Sequence, residues 1–361
     1  MKIIIINQHP EDVLGGSEIQ CDLIAEYMSK LGNEVLYLAI NGQKQEYNVE
    51  YNIKPFKFSY LSLYKIIKQQ QPDVVYWRYD KKKLLVSTII LNALECPIVF
   101  GVSSRENVQK WMSYQHKDYS TLRSIINTVV LSSFRPIIRR INHIGFKFVD
   151  GATVLNSNLK NRIGVSKEEV IYDSMEHSLV PFHRDRDFII WVANLKPGKN
   201  PEKVIELAED ISTDIIMVGE VQNNRYNYIK NPDNLPKNLH YLGSKSVEEV
   251  NGMIQESLFL IHTCDPEGFG DVFIQAWNSG KPTVSLYFDP DNLIESNQVG
   301  MVSGNMASFR KDVENLATNK DLRIKLGREA ERLASEKFDP QSNIKKLENM
   351  FISILRNSKN N

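Results

Sequence analysis

Residues 242–286 read LGSKSVEEVNGMIQESLFLIHTCDPEGFGDVFIQAWNSGKPTVSL. The run at 258–262 is apolar and short, which predicts a buried strand. A glycine-bearing turn at 266–270 follows, then a helix over 271–279 and a second strand over 283–286. The turn carries one carboxylate, Glu267, directly before Gly268, Phe269 and Gly270. A helix start offers free N–H groups and the positive end of a dipole, which suit an anion such as a phosphate. Glycines let that backbone approach a ligand closely. An acid beside an anion cradle fits a ligand with both phosphate and hydroxyl groups, and a nucleotide sugar is such a ligand.

Outward from this stretch the same pattern repeats. Short β-rich runs alternate with longer amphipathic segments, the mark of parallel α/β architecture. Strands are predicted at 3–7, 34–39, 74–76, 98–100 and 152–155, with helices from Ser17 to Gly32, over 61–68 and over 84–94. A stretch without periodicity, 174–187, reads as a linker. The programme then restarts with strands at 188–193 and 215–218. Asn200 and Pro201 predict an N-cap and first-turn proline for a helix through Ile211. Ser246 and Glu249 have the spacing of a capping box. Two successive α/β halves predict two doubly wound, Rossmann-like domains, 1–175 and 185–338. A last helix, 339–361, places Ile344, Leu347, Met350, Phe351 and Leu355 on one face.

Composition excludes several classes. The 361 residues suffice for two domains of ordinary size, and the formal net charge of +0 does not point to nucleic acid. Cys21, Cys96 and Cys264 are far apart and make neither a metal spacing nor a disulfide framework, which fits a reducing cytoplasm. The N-terminal isoleucines are too few for a signal-peptide core, and the longest uncharged runs fall short of a membrane span. No G-x-G-x-x-G follows a strand, and Gly198-Lys199-Asn200 lacks the rest of a phosphate-binding P-loop.

Three further loops carry candidate chemistry. Lys199 lies in a glycine-containing strand-to-helix loop, Trp191 to Lys199, where a cation can neutralise a diphosphate leaving group. Gly15 and Gly16 stand between the first strand and a helix, a place for an anion. Gln275 lies one full helical repeat beyond the glycine turn and can project toward the same ligand. The seven histidines are scattered and read as surface or packing residues.

The 267–284 motif resembles the E-x7-E signature of family 4 glycosyltransferases, retaining enzymes of the GT-B fold. The resemblance covers nearly the whole chain and is densest over 188–290. It implies that Glu267 lies near the donor sugar hydroxyls and that Glu267 and Lys199 carry the catalysis. It also implies that the backbones of Gly268, Phe269 and Gly270 meet the sugar or diphosphate. Gln275 stands where the family has a ribose-binding glutamate, and Asn194 where it has a diphosphate-binding arginine. Gly15 and Gly16 match its N-terminal glycine loop, which closes on the donor phosphate. The family histidine has no counterpart in 101–106, and Ser104 and Arg105 are taken as acceptor-side residues.

The resemblance further implies transfer without a metal or other cofactor. The donor is a nucleotide diphospho-sugar, a UDP-sugar by preference, and the acceptor a saccharide or a lipid-linked sugar. The basic and aromatic stretch 104–147 suits an anionic membrane, which predicts a cytoplasmic protein peripheral to the inner face. A different reading is a non-catalytic nucleotide-sugar-binding partner in a polysaccharide assembly.

Overall fold

The computed structural model describes residues 1–103, 105–108, 143–176, 186–265 and 267–358. It divides into two units: Met1–Asp173 joined by Pro340–Asn361, and Ser174–Asp339.

The first unit is a parallel seven-stranded sheet. Its strands are β1 (Lys2–Asn7), β2 (Glu34–Ile40), β3 (Asn52–Phe56), β4 (Val74–Trp77), β5 (Ile98–Gly101), β6 (Gly151–Val154) and β7 (Glu168–Val170). The order across the sheet is β3-β2-β1-β4-β5-β6-β7. Ile3 to Ile6 of β1 are all fully buried, because helices cover both faces of a parallel sheet and leave no side of the strand to water. The helix Gly16–Lys30 starts one residue before Ser17, and its N-cap is Gly15, without a side-chain cap. Ser17 therefore lies inside the helix rather than capping it, and its carbonyl and hydroxyl oxygens accept from Asn7 Nδ2 at 3.1 and 3.2 Å.

The helix Pro340–Ser358 belongs to this unit. Ile344, Leu347, Met350, Phe351 and Ile354 join the core formed by Ile3, Ile5, Ile24 and Met28. Ile354, not Leu355, closes that apolar stripe. Asn33 Nδ2 also donates to Glu348 Oε1 at 2.8 Å, tying the helix to the turn before β2.

The second unit repeats the plan with six strands. These are β8 (Phe188–Val192), β9 (Asp214–Val218), β10 (Leu239–Tyr241), β11 (Leu260–His262), β12 (Thr283–Ser285) and β13 (Gly300–Val302). They are parallel in the order β10-β9-β8-β11-β12-β13. Ile189, Trp191, Val204, Leu207, Ile215, Met217 and Ile261 share its core. The capping box forms as the spacing predicts: Glu249 N–H donates to Ser246 Oγ at 3.2 Å and Ser246 N–H to Glu249 Oε2 at 2.8 Å. Asn200, in contrast, does not cap the helix Pro201–Asp210 with its side chain. It sits in the left-handed region at φ 51° and turns its amide elsewhere.

Each sheet reverses its winding once, between β1 and β4 in the first unit and between β8 and β11 in the second. Ligands of open α/β sheets bind outside the carboxyl ends of strands at such switch points. No described helix is long and apolar enough to cross a membrane.

Candidate functional site

The loops leaving β8 and β11 meet at the switch point of the second unit. They are zipped together by main-chain and side-chain bonds. Asp265 N–H donates to Gly198 O at 2.8 Å, and Asn200 Nδ2 donates to Thr263 O at 2.9 Å. Thr263 Oγ1 accepts from the buried Trp191 Nε1 at 2.9 Å and donates to Lys199 O at 2.8 Å. Gly198 adopts φ +89° in this loop, a conformation that costs glycine nothing and a side chain a good deal. The result fixes both the carbonyl and the direction of Lys199.

Lys199 Nζ donates to Glu267 Oε2, and Gly268 N–H donates to Glu267 Oε1 at 3.0 Å. Both carboxylate oxygens are therefore held by donors. Burial opposes the charge on Glu267, but Lys199, His262 and the Gly268 N–H together outweigh it and hold the carboxyl below its ordinary range. Burial likewise opposes the charge on Lys199, and the acids around it, Cys264, Glu267 and Asp271, outweigh that and raise its pKa. At neutral pH the pair is ionic.

The Gly268–Gly270 turn is anchored from behind. Phe269 is 1% exposed and packs edge-on against Phe338 at 5.6 Å, while Phe338 stacks on Trp277 at 5.7 Å. Only the backbone of Phe269 is left for a ligand. Gly270 has φ +89° and is the N-cap of the helix Asp271–Asn278, with no side chain capping that helix. The helix thus begins directly after the turn that carries Glu267. Gln275 is half-buried, four residues beyond Asp271, and so shares the helix face of that acid. Asn194 is exposed at the end of β8, and its Oδ1 accepts from Glu220 N–H at 3.2 Å.

One residue of this site reads as mere packing in the sequence. His262 is the last residue of β11 and 2% exposed. Its Nε2 lies 4.0 Å from Glu267 Oε2 and has no hydrogen-bond partner among the described residues. Nδ1 lies 3.4 Å from Ser285 Oγ, and the ring packs on Phe273 at 4.4 Å. Burial pushes its pKa down to about 3, with Glu267 pulling upward and Lys199 downward. The imidazole is neutral at physiological pH. Its position at a strand end, five residues before the motif acid, is the signal that could have found it.

Cys264 is also buried beside Lys199, and burial pushes its thiol up to about 12. His262, Cys264 and Glu267 each offer one ligand atom, all within 4.8 Å of one another. Lys199 already occupies Glu267, so a metal ion there would have to displace an ammonium and deprotonate a resistant thiol.

Gly15 and Gly16 lie in the first unit, after β1 at that unit's own switch point. Arg105 opens the short helical turn Arg105–Val108. Ser104 lies outside the described residues, as does most of the basic stretch 104–147.

Residues 177–333 match the family model of glycosyl transferases group 1. The chain is similar to "Uncharacterized glycosyltransferase MJ1178" of Methanocaldococcus jannaschii, 26% identical over 190 residues, 51% of this chain and 52% of that protein. The chain thus matches about half the length of this curated relative. Among solved structures it resembles Anabaena Alr3699/HepE in complex with UDP-glucose, at TM-score 0.73 and 15% identity over 98% of this chain and 100% of that one. It also resembles sucrose-phosphate synthase of Thermosynechococcus elongatus, at TM-score 0.71 and 12% identity over 99% of each chain. Such identities speak for the fold. The chain has the GT-B fold of two Rossmann-like units, and its match to the glycosyl transferases group 1 model lies within 177–333.

Proposed function

We propose that this protein is a retaining glycosyltransferase of the family 4 type that uses a nucleotide diphospho-sugar. The observation that carries the reading is the Lys199–Glu267 pair at the switch point, set beside a helix start that no side chain caps. Glu267, kept anionic, can accept hydrogen bonds from sugar hydroxyls. Lys199, kept cationic, and the N–H groups after Gly270 stabilise negative charge on a departing diphosphate. These groups supply what a metal ion would otherwise supply. Gln275 can accept from ribose hydroxyls through its amide oxygen, without a charge. A UDP-sugar is the preferred donor, as the UDP-glucose complex of the Anabaena neighbour suggests for a similar fold.

The acceptor in this reading is a saccharide or a lipid-linked sugar in cell-surface polysaccharide or glycoconjugate synthesis. The protein would work in the cytoplasm, at the inner face of the membrane. A second reading is a non-catalytic donor-binding partner. It is favoured by the exposed Asn194, which offers the diphosphate no charge and engages Glu220 instead.

A panel of UDP-, GDP- and ADP-sugars, scored for thermal stabilisation and slow donor hydrolysis, tests the proposal. Stabilisation with hydrolysis by one nucleotide class is expected. Stabilisation without hydrolysis, in the presence or absence of saccharide acceptors, would favour the non-catalytic partner. No response to any nucleotide sugar would sink both.

A further inference from the structure

One face of the first unit departs from an ordinary solvated surface. The helices Tyr60–Gln70 and Leu84–Ala93 pack beside each other there, on the crossovers into β4 and β5. The 3-10 turn Gly145–Phe148 packs on the second of them. Gly145 makes that close fit possible, since a Cβ there would lie 2.8 Å from Leu85 N. Asn92 Nδ2 reaches Phe148 O at 3.5 Å at the other end.

Large apolar side chains stand outward on all three elements. Leu61 is 63% exposed, Ile89 52% and Phe148 42%, and Tyr64, Val86 and Ile144 are exposed as well. Leu61 and Tyr64 are three apart, as are Val86 and Ile89, so each pair lies on one helix face. Leu84–Ala93 carries no charged residue at all. A short outer helix that is apolar on its solvent side as well as its core side is exceptional in a soluble fold.

Lysines predominate among the charged residues of this face. Lys57, Lys65, Lys68, Lys82 and Lys147 are exposed around it, and Lys83 Nζ lies over the rings of Phe58 and Tyr60 at 5.6 and 6.0 Å. Neither helix contains an acid. The acids that flank them, Asp73, Asp80, Glu95 and Asp150, sit in turns at the strand ends, and three serve the backbone. Asp73 accepts from Lys2 N–H at 2.6 Å, Asp80 from Lys82 N–H at 2.9 Å and Asp150 from Ile98 N–H at 2.8 Å.

We infer that this face docks on an anionic lipid surface, with Leu61, Tyr64, Val86, Ile89 and Phe148 entering the headgroup boundary and the lysines meeting lipid phosphates. Charge decides the occupant. Residues 109–142 of the same chain carry six lysines and arginines against one acid, Asp118, so they would meet a basic rim with like charge. A second copy of the chain would set lysine against lysine. An anionic bilayer supplies both the apolar interior and the countercharge. The inference deepens the membrane part of the proposed function by naming the surface, and lipid binding is read separately from donor turnover.

Co-sedimentation with vesicles tests it. Wild-type protein should pellet with phosphatidylcholine vesicles containing about one third phosphatidylglycerol at low salt. It should bind pure phosphatidylcholine roughly ten-fold or more less tightly. The pair Val86→Glu with Ile89→Glu, and separately Lys65→Glu with Lys68→Glu, should each lower binding to the anionic vesicles by about ten-fold or more while donor hydrolysis stays unchanged. Absence of pelleting at low salt overturns the inference, as does wild-type binding by the lysine variant. A dimer in sedimentation velocity that the Val86/Ile89 pair dissolves also overturns it, in favour of self-association. If the Val86/Ile89 pair fails to fold, the lysine variant decides.

Discussion

The indole N–H of Trp191 and the hydroxyl of Thr263 form a buried hydrogen bond of 2.9 Å, and the same hydroxyl donates a hydrogen bond of 2.8 Å to the carbonyl of Lys199. One core side chain thereby sets the position of the loop that bears the cation. Thr263→Val keeps the shape and removes both bonds. It should cost about 1–3 kcal/mol of stability, since the Trp191 donor is left buried and unpaired. It should also reduce turnover more than it weakens nucleotide binding. Unchanged urea midpoint and turnover would show that the loop is held by its main-chain bonds alone.

Lys199→Ala should cut turnover severely, and it leaves the largely buried Glu267 without its ammonium partner. Near-normal turnover would remove Lys199 from the mechanism. The variant also carries a pH signature. Glu267 is depressed by Lys199 against the effect of burial, so in the wild type it contributes stability above its unfolded pKa, and that contribution fades as pH falls through the folded value. Without Lys199, burial dominates and the folded pKa moves above the unfolded one. The variant should then lose stability as pH rises from about 4 to about 7, relative to the wild type. Urea midpoints across that range measure the difference, and parallel curves would contradict the assigned pairing.

His262 should remain a neutral imidazole throughout the physiological range. Its folded pKa of about 3 lies below the unfolded value, so its contribution to stability is complete above the unfolded pKa. That contribution is lost progressively as pH falls from about 6.5 toward about 3. His262→Gln should be less sensitive to acid over that window than the wild type. Nitrogen chemical shifts of the ring report the protonation state directly, and an imidazolium at pH near 6 would refute it.

Gln275, if it faces ribose hydroxyls, should discriminate against 2′-deoxynucleotide diphosphates by about one hydrogen bond, or 0.5–1.5 kcal/mol. Equal calorimetric affinity for the two series would exclude the contact. Gln275→Glu should be tolerated, since both side chains have the same length and an acceptor oxygen in the same place.

Much of this fold is legible in the sequence, and the illegible part has a pattern. The central strands announce themselves as apolar runs because both of their faces are buried, as in Ile3 to Ile6 of β1. The strands absent from the expected set are β3, β7, β10 and β13, and these are the four edge strands of the two sheets. An edge strand pairs on one side only and is less covered. Thus β3 holds Pro55 and three exposed residues, and β7 is the polar Glu168–Val170. The Lys199–Glu267 site was legible because both residues follow strands and stand beside glycines. His262 was not, since a buried histidine in an apolar run looks like packing until the loop after it is seen to fold back. The misread caps, Ser17 and Asn200, have one cause. Each side chain has its own hydrogen-bonding neighbour outside the helix start, Asn7 and the Thr263 carbonyl, and neither neighbour is local in sequence.

The first unit is discontinuous along the chain, and this governs how it can be made. A ribosome that has delivered residues 1–173 has produced a sheet whose layer over Ile24 and Met28 is still missing. Nearly half the polypeptide, the entire second unit, emerges before Ile344, Leu347, Phe351 and Ile354 arrive to cover it. The second unit is contiguous and can mature first, although it is translated later. The first unit must wait with an apolar surface open, a natural substrate for a chaperone. Fragments cut near residue 175 should therefore aggregate, and supplying the Pro340–Ser358 peptide in trans should rescue them.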